Sequence, residues 1–222
     1  MTVAPLDTNQ SGIQQLDGRL RDLLAGKKIV MTGVTGFIGE QLLWKILTEL
    51  PDTTPAVLVR RKGSATGRDR MMSAIKKPIF SDLRDAAGGA AELLDSRIEV
   101  IEGDLPNVPE LPADLDIVVH CAGDVSFDPP IDQALTTNVI GTKALMDRML
   151  QAVSDENGDP RTVPHYVHIS TAYTAGRRRG AILEAPHVHN IDYEAEAAAG
   201  IGMRALIEAE SRTSARLAKL RK

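Results

Sequence analysis

A glycine-rich turn after a short apolar run is the feature of this sequence whose chemistry can be stated first. The motif Thr-Gly-x-x-Gly-x-x-Gly begins at Thr32 and follows the short predicted strand 28–31, whose last three residues are apolar. Gly33 permits a sharp turn out of a strand, Gly36 lets the backbone approach a pyrophosphate, and Gly39 allows a helix to pack closely. The phosphates would lie on the free N–H groups at the start of that helix. The motif therefore predicts dinucleotide binding, with a purely structural turn as the alternative. The cofactor contacts predicted here are Thr32, Gly33, Thr35, Gly36, Phe37, Ile38 and Gly39.

The end of the second predicted strand, 56–59, distinguishes between the two nicotinamide dinucleotides. An acidic side chain at this point binds the ribose 2′-OH of NAD, whereas a cation accommodates the 2′-phosphate of NADP. The sequence continues with Arg60, Arg61 and Lys62. Arginine binds phosphate through a planar bidentate fork, so we expect NADPH, with Arg60 as the first contact and Arg61 as the second. The alternative is a solvated basic loop.

Two further strand ends should meet the glycine-rich turn, because ligands of open α/β sheets gather at the carboxyl ends of the strands. Asp104 and Leu105 follow the third predicted strand, where Asp104 could accept a hydrogen bond from the adenine amino group. Cys121, Ala122 and Gly123 follow the fourth strand, and their small side chains leave room for the nicotinamide-side ribose and phosphate. Cys121 has no obvious base beside it, which favours packing over a nucleophilic role.

Short apolar strands alternate with helical stretches along the chain, a pattern typical of βαβ units and a parallel sheet. Right-handed crossovers then predict a doubly wound α/β domain of the Rossmann type, with about five strands and a C-terminal helical extension. We expect the strands at 28–31, 56–59, 98–101, 116–120 and 163–169. We expect the helices at 37–50, 67–77, 81–94, 131–151 and 192–222.

The chain divides into three predicted parts. Residues 1–26 form an N-terminal arm with weak amphipathic spacing, which indicates a packing helix at the edge of the domain. Residues 27–190 form the NADP-binding Rossmann domain. Residues 191–222 are rich in Ala, Glu and Arg and contain no Pro, so we expect a long exposed helix there.

Composition places the chain among ordinary globular proteins and excludes several other classes. Its 222 residues are 43% hydrophobic and 25% charged, and no apolar run approaches the ~20 residues that a transmembrane helix needs. A formal net charge of −4 argues against a nucleic-acid partner. The polar N-terminus differs from a signal peptide, and a single cysteine fits a reducing cytoplasm.

Taken together, the motifs occur in the order found in extended short-chain dehydrogenases/reductases, which this chain resembles. The motifs beyond the glycine-rich turn are Gly103-Asp104, Cys121-Ala122-Gly123, Asn-Val-Ile-Gly-Thr at 138–142 and Ile-Ser-Thr-Ala-Tyr at 169–173. Within that superfamily the chain most resembles bacterial fatty acyl-CoA reductases of the male-sterility type. This narrower resemblance rests on the Ser-Thr-Ala-Tyr stretch, on Val57-Leu58-Val59-Arg60 and on His120-Cys121-Ala122-Gly123-x-Val125-x-Phe127-Asp128.

The resemblance implies that NADPH delivers a hydride to a fatty acyl-CoA thioester, giving an aldehyde and, with further reduction, an alcohol. In the family pattern a hydroxyl after the fifth strand polarises the carbonyl. That position matches Thr171, with Ser170 as the fallback. Asn138 matches the helix asparagine that maintains the active-site geometry. A hydroxyl suits this role because hydride attack leaves an oxyanion that needs preorganised donors.

One part of the family pattern is missing. The family's proton donor is a Tyr-x-x-x-Lys pair, in which the ammonium lowers the pKa of the tyrosine. Four residues after the three tyrosines of this chain stand Ser170, Arg177 and Ala197, so no such pair is present. We therefore expect the cofactor-binding part of a longer reductase, inactive by itself. The alternatives are another extended short-chain enzyme, such as a thioester reductase domain or a sugar-nucleotide epimerase, and a non-catalytic NADP-binding module.

Two polar runs have less specific meaning. His187 and His189 stand two residues apart with no cysteine partner and no clear third ligand, so we expect them to face solvent and we predict no metal. The run of three arginines at 177–179 is either a solvated loop or a patch that steers the phosphates of coenzyme A.

Overall fold

Five parallel strands form the central sheet of the computed structural model, which describes residues 20–173, 175–176, 178–183 and 190–213. The strands are β1 (Lys28–Thr32), β2 (Ala56–Val59), β3 (Glu99–Glu102), β4 (Leu115–His120) and β5 (His165–His168). The sheet order is β3-β2-β1-β4-β5, and all four neighbouring pairs are parallel. This order confirms the doubly wound α/β fold expected from the sequence.

Helices connect the strands and cover both faces of the sheet. They are α1 (Phe37–Glu49), α2 (Gly67–Ile75), α3 (Ser81–Ala87), α4 (Ala90–Arg97), α5 (Ile131–Leu135), α6 (Gly141–Val153) and α7 (Tyr193–Ser211). A short 3₁₀ turn, Pro78–Phe80, precedes α3, and a π-helical turn, Thr136–Ile140, joins α5 to α6. None of the helices in the described ranges is long and apolar enough to span a bilayer.

The central strand β1 shows how the two faces are filled. Met31 packs in a cluster with Leu43 and Leu47 of α1, whereas its neighbour Val30 packs in a second cluster with Leu145 of α6. Successive side chains of a strand point to opposite faces, so α1 and α6 lie on opposite sides of the sheet. Burial on both sides explains why β1 and β2 are almost entirely apolar instead of alternating.

Two predicted helices are interrupted, each for a visible backbone reason. The stretch 81–94 is not one helix but α3 and the start of α4, because Gly88 and Gly89 between them have φ values of +89° and +146°. The stretch 131–151 contains the π-helical turn, a distortion that is frequent at functional sites. Strand β5 is also shorter than the predicted 163–169.

The C-terminal helix is less isolated than its composition indicates. Ala197 of α7 is buried, and a Cβ on Gly200 would overlap the side chain of Leu135 in α5. Arg204 of α7 forms an ion pair of 3.2 Å with Asp132 of α5. The helix is exposed over most of its length, as expected, and it contacts α5, which immediately precedes the π-helical turn, along one narrow strip. Residues 214–222 and most of the predicted N-terminal arm lie outside the described residues, and residues 20–24 of that arm are helical.

The packing of α1 on the sheet gives a test of the fold. Leu43 is fully buried between α1 and β1. Leu43→Ala should lower the free energy of unfolding by about 2–5 kcal/mol, because it removes buried methyl groups and leaves a cavity. Urea unfolding followed by circular dichroism measures this change. Gln41→Ala is the matched control, since Gln41 lies on the exposed face of the same helix and should change stability by less than about 0.5 kcal/mol. Equal effects of the two substitutions would contradict the assigned packing.

Candidate functional site

A cleft of about 600 Å³ opens at the carboxyl ends of β1, β2, β3 and β4. Because β1 lies between β2 and β4 in the sheet, the segments that follow these strands converge on one place. All the cofactor contacts predicted from the sequence line this cleft except Thr32 and Arg61. The residues 121–125 after β4 form the wall opposite the end of β2.

The glycine-rich turn after β1 is shaped by two close approaches of the backbone. Gly33 has a φ of +71°, and a Cβ on it would lie only 2.6 Å from the nitrogen of Ala122. A Cβ on Gly39 would overlap the carbonyl oxygen of Gly33, so this glycine packs α1 against the turn itself. Gly36 is the N-cap of α1 and offers no side-chain cap to the first-turn N–H groups. Those groups are therefore available to an anion such as a pyrophosphate.

Thr32 lies beneath this turn and does not line the cleft. Its side chain is buried, and its hydroxyl oxygen accepts a hydrogen bond of 3.1 Å from the backbone N–H of Ala122. The predicted cofactor contact of Thr32 is thus replaced by a contact that supports the turn from below.

The two arginines after β2 have different partners. Arg60 lines the cleft, and its guanidinium lies 4.0 Å from the carboxylate of Asp104. Arg61 does not line it, because its guanidinium donates a hydrogen bond of 2.8 Å to Glu102. Glu102 also accepts the backbone N–H of Gly67 at 2.7 Å, and these bonds hold the pKa of its carboxyl below its usual value. Arg60 is therefore available on the cleft lining, whereas Glu102 holds Arg61 away from the cleft.

A third arginine at this end of the cleft was missed by the sequence analysis. Arg70 of α2 lines the cleft. It donates one hydrogen bond of 2.6 Å to the carbonyl of Arg60 and another of 3.0 Å to the hydroxyl of Thr35. These bonds join the end of β2 to the glycine-rich turn. The sequence does contain a sign of this role. Arg70 belongs to the predicted helix that directly follows the basic run, so its side chain can reach the same edge of the sheet.

The residues after β3 divide their roles between the cleft and the core. Asp104 lines the cleft, and one of its carboxylate oxygens accepts the N–H of Leu105 at 2.9 Å. The side chain of Leu105 is buried in the cluster that includes Leu145. Asp104 thus presents a fixed acceptor at the predicted adenine side, whereas Leu105 contributes mainly packing.

Cys121 is a half-buried residue on the cleft wall. Burial raises the pKa of its thiol, so the group is protonated at neutral pH and is a poor nucleophile. This environment supports the interpretation of Cys121 as a small packing residue.

The predicted catalytic asparagine lies in the π-helical turn, where both ends of its side-chain amide are occupied. Its oxygen accepts the N–H of Asp124 at 2.7 Å, and its nitrogen donates to the carbonyl of the same residue at 2.9 Å. Asn138 therefore holds the segment that forms the wall after β4. Its neighbour Thr137 lines the cleft, while Asn138 itself does not.

The two predicted catalytic hydroxyls are not brought into the cleft. Ser170 and Thr171 follow β5 and are exposed, and neither lines the cleft wall. The hydroxyl oxygen of Thr171 accepts the backbone N–H of Tyr173 at 3.1 Å, which forms a local turn. Their catalytic role stays a prediction from the family pattern.

His120, at the end of β4, is a buried titratable group whose role the sequence analysis missed. Its side chain is fully buried between the hydroxyls of Thr32, at 2.7 Å from Nδ1, and Thr142, at 3.1 Å from Nε2. Burial, with a smaller contribution from the neighbouring charge of His168, lowers the pKa of His120 to about 4. The imidazole is therefore neutral at pH 7.

The depressed pKa of His120 predicts a pH-dependent contribution to stability. An unfolded histidine has a pKa near ~6.5, so the unfolded chain binds a proton more readily than the folded one. Stability from this group is complete above about pH 6.5 and is lost as the pH falls towards 4. The loss between pH 7 and about pH 4.5 should be on the order of 2 kcal/mol.

Urea unfolding of the natural chain and of His120→Gln at both pH values measures this contribution. Carboxylates that titrate in the same range do so in both proteins, so the difference between the two free energies isolates His120. The stability advantage of the natural chain should shrink by the stated amount at the lower pH. An advantage that does not change with pH would contradict the assignment.

In the described part of the chain, no group of three or more His, Cys, Asp or Glu residues is arranged to hold a metal ion. His187 and His189, and Arg177 of the basic run, lie outside the described residues. Arg178 and Arg179 are exposed and do not line the cleft.

Comparison with known proteins identifies close relatives in sequence. Fatty acyl-CoA reductase 1 of Xenopus laevis is 32% identical over 163 residues, which cover 69% of this chain and 30% of that protein. Fatty acyl-CoA reductase 2 of Homo sapiens is 30% identical over 159 residues, which cover 67% and 28%. The chain thus spans about 30% of the length of the curated relatives it matches.

The chain is also similar to a solved structure and to a family model. The terminal R domain of the myxalamid PKS-NRPS biosynthetic pathway matches with a TM-score of 0.51 and 20% identity, over 81% of this chain and 46% of that one. At this identity the match shows a shared fold only. A family model described as male sterility protein, an NAD-binding domain, matches residues 31–213. Because that match covers most of the chain, and because the fold and the glycine-rich turn agree with it, we conclude that this protein belongs to the male sterility family.

Proposed function

We propose that this chain is the NADPH-binding part of a fatty acyl-CoA reductase. The observation that carries the proposal is the single cleft in which the glycine-rich turn, Arg60 and Asp104 come together. When bound, the cofactor would supply the hydride that adds to the thioester carbonyl carbon. With one proton, the resulting oxyanion becomes a hemithioacetal, which breaks its C–S bond to give an aldehyde and the free thiol of coenzyme A. The relatives' names support this substrate class.

The choice of NADPH over NADH is supported by the charges at the end of β2. Arg60 and Arg70 both line the cleft there, and Arg70 is already aligned by its bonds to the Arg60 carbonyl and to Thr35. No acidic residue follows β2 directly, where a carboxylate would be needed for the ribose 2′-OH of NAD. Two guanidinium groups would bind a 2′-phosphate through charge-assisted hydrogen bonds.

Exposed apolar side chains on the cleft lining support a substrate with an acyl chain. The side chains of Phe37 and Val125 line the cleft and are 85% and 90% exposed. Phe127, two residues further along, is fully exposed as well. Large apolar side chains in this position would gain stability by covering a hydrocarbon chain or another part of the reductase.

The proton donor of the proposed reaction is not available among the tyrosines of this chain. Tyr166 is half-buried, and burial raises its pKa to about 12, which makes it a poor acid. The hydroxyl of Tyr193 donates to its neighbour Glu194 on α7. Tyr173 is 91% exposed and belongs to the segment whose family role is a different one. We therefore propose that the chain binds cofactor but does not turn over by itself. The reducing cytoplasm stays the expected location, on the single cysteine.

The arginines give a sharp test of the cofactor. Arg60→Ala and Arg70→Ala should each raise the dissociation constant for NADPH by about 10- to 100-fold, because each removes a charge-assisted bond to the 2′-phosphate. Arg60→Ala should leave NADH binding within about twofold of the natural chain. Arg70→Ala should also weaken NADH, to a smaller extent than NADPH, because its bond to Thr35 in the glycine-rich turn is lost. Fluorescence titration of both cofactors measures these constants.

Arg61→Ala is the matched control, since Arg61 is the next residue along the chain and is bound to Glu102. It should leave the NADPH dissociation constant within about twofold of the natural chain. Equal weakening of NADPH and NADH by Arg60→Ala would remove Arg60 from the 2′-phosphate site. An effect of Arg61→Ala as large as that of Arg60→Ala would reverse the assignment of the two arginines.

Turnover is the second test. The purified chain mixed with NADPH and decanoyl- or palmitoyl-CoA should bind the cofactor and leave its absorbance unchanged, because the Tyr-x-x-x-Lys pair is absent. A known fatty acyl-CoA reductase in the same assay is the positive control. Oxidation of NADPH by this chain would contradict the proposed inactivity. Failure to bind NADPH at all would contradict the cofactor assignment and with it the proposed function.

A further inference from the structure

A chain of hydrogen bonds runs behind the cleft lining. It leads from the segment after β4, through the end of β1 and back through β4, to the π-helical turn. It begins at the N–H of Ala122, passes through Thr32, His120 and Thr142, and ends at the carbonyl of Asn138. The four distances along it are 3.1, 2.7, 3.1 and 2.9 Å. Each side chain in it has a partner on both sides.

The direction of every bond follows from the two ends. A backbone N–H can only donate, so the Thr32 oxygen accepts from Ala122 and its own proton is free for Nδ1 of His120. A neutral imidazole that accepts at Nδ1 carries its proton on Nε2, which then donates to Thr142. The hydroxyl proton of Thr142 completes the chain at the Asn138 carbonyl. The opposite tautomer would leave the Thr32 proton without a partner and would take the Thr142 proton away from the Asn138 carbonyl.

Both ends of this chain reach the same wall of the cleft. At one end Thr32 holds the N–H of Ala122. At the other end the Asn138 amide binds both the N–H and the carbonyl of Asp124. Residues 121–125 line the cleft, whereas His120 and Thr142 do not. The imidazole of His120 is thus connected to the segment that follows it at both ends. Thr32 links it to Ala122, and Thr142 and Asn138 link it to Asp124.

We propose that His120 is a positioning residue, which in its neutral Nε2–H form holds residues 121–124 in the shape that receives the cofactor. Thr32 and Thr142 transmit its position to the two ends of that segment. The aromatic neighbours support the required orientation, since the ring of His168 stacks on His120 with centroids 5.1 Å apart. A ring that is fixed by stacking and bonded at both nitrogens keeps one tautomer. The consequence for cofactor binding rests on the proposed function, whereas the arrangement of protons does not.

Nitrogen-15 NMR of the histidine side chains tests the tautomer directly in the natural chain. At pH 7, His120 should show a protonated Nε2 and an unprotonated Nδ1. An imidazolium, or a proton on Nδ1, would overturn the proposal. This measurement needs no cofactor and no substitution.

Three variants of α6 test the positioning. Thr142→Val removes the hydroxyl and keeps the shape, and Thr142→Ser restores the hydroxyl. Ser154→Ala is the matched control, because Ser154 at the end of the same helix donates to the carbonyl four residues earlier, as Thr142 does, but contacts nothing at the cleft. Hydrogen exchange at the Asp124 amide should become about fivefold faster in Thr142→Val, the factor expected for one neutral hydrogen bond. The NADPH dissociation constant should rise by a similar factor.

Thr142→Ser and Ser154→Ala should both stay within about twofold of the natural chain in exchange and in binding. Exchange at the amide of Met31, in the buried centre of β1, reports a loss of general stability. A change at Asp124 in Thr142→Val that exceeds the change at Met31 therefore separates positioning from folding. Unchanged exchange at Asp124 in Thr142→Val would overturn the proposal. If the natural chain does not bind NADPH, the proposed function fails, and the exchange and NMR results still decide the role of His120.

Discussion

The close approach of the Gly33 turn to the backbone at the end of β4 is the contact on which the cleft depends. A Cβ at Gly33 would lie 2.6 Å from the nitrogen of Ala122, and the φ of +71° there is one that side chains disfavour. Because β1 and β4 are neighbours in the sheet, this approach brings the phosphate-binding turn directly against the opposite wall. The buried hydroxyl of Thr32 joins the two from below, so the turn and the wall form one rigid unit.

The polar groups around this unit lie in two layers, one on the cleft lining and one behind it. At the cleft surface, Arg60 and Arg70 present charge and Asp104 presents an acceptor. Behind the cleft lining, the buried Thr32 and His120 and the half-buried Thr142 are joined by hydrogen bonds that shape the neighbouring backbone. Burial keeps the imidazole neutral, which is the state that can accept at one nitrogen and donate at the other. The buried histidine is thus suited to connecting two segments and unsuited to binding a phosphate.

Residues with similar sequence signals have different positions in the fold. Arg60 and Arg61 are neighbours in a basic run, but Glu102 on the adjacent strand binds Arg61 and leaves Arg60 at the cleft. Thr32 belongs to the glycine motif and lies below it, while Arg70, outside every motif, lies at the cleft. Asn138 is recognisable from the family pattern, yet its amide is bound to Asp124. In each case a partner on another element of the fold decides where the side chain points.

The order of strands and helices, the glycine-rich turn and the convergence of strand ends follow from the sequence, because apolar periodicity and glycine spacing are local properties. The missing Tyr-x-x-x-Lys pair is equally a matter of sequence. Tertiary structure alone decided which arginine faces the cleft, the break of the predicted 131–151 helix at a π-helical turn, and the burial of His120 between two hydroxyls. These features depend on contacts between residues up to 88 positions apart, where side-chain geometry and desolvation decide the outcome and local pattern carries no information.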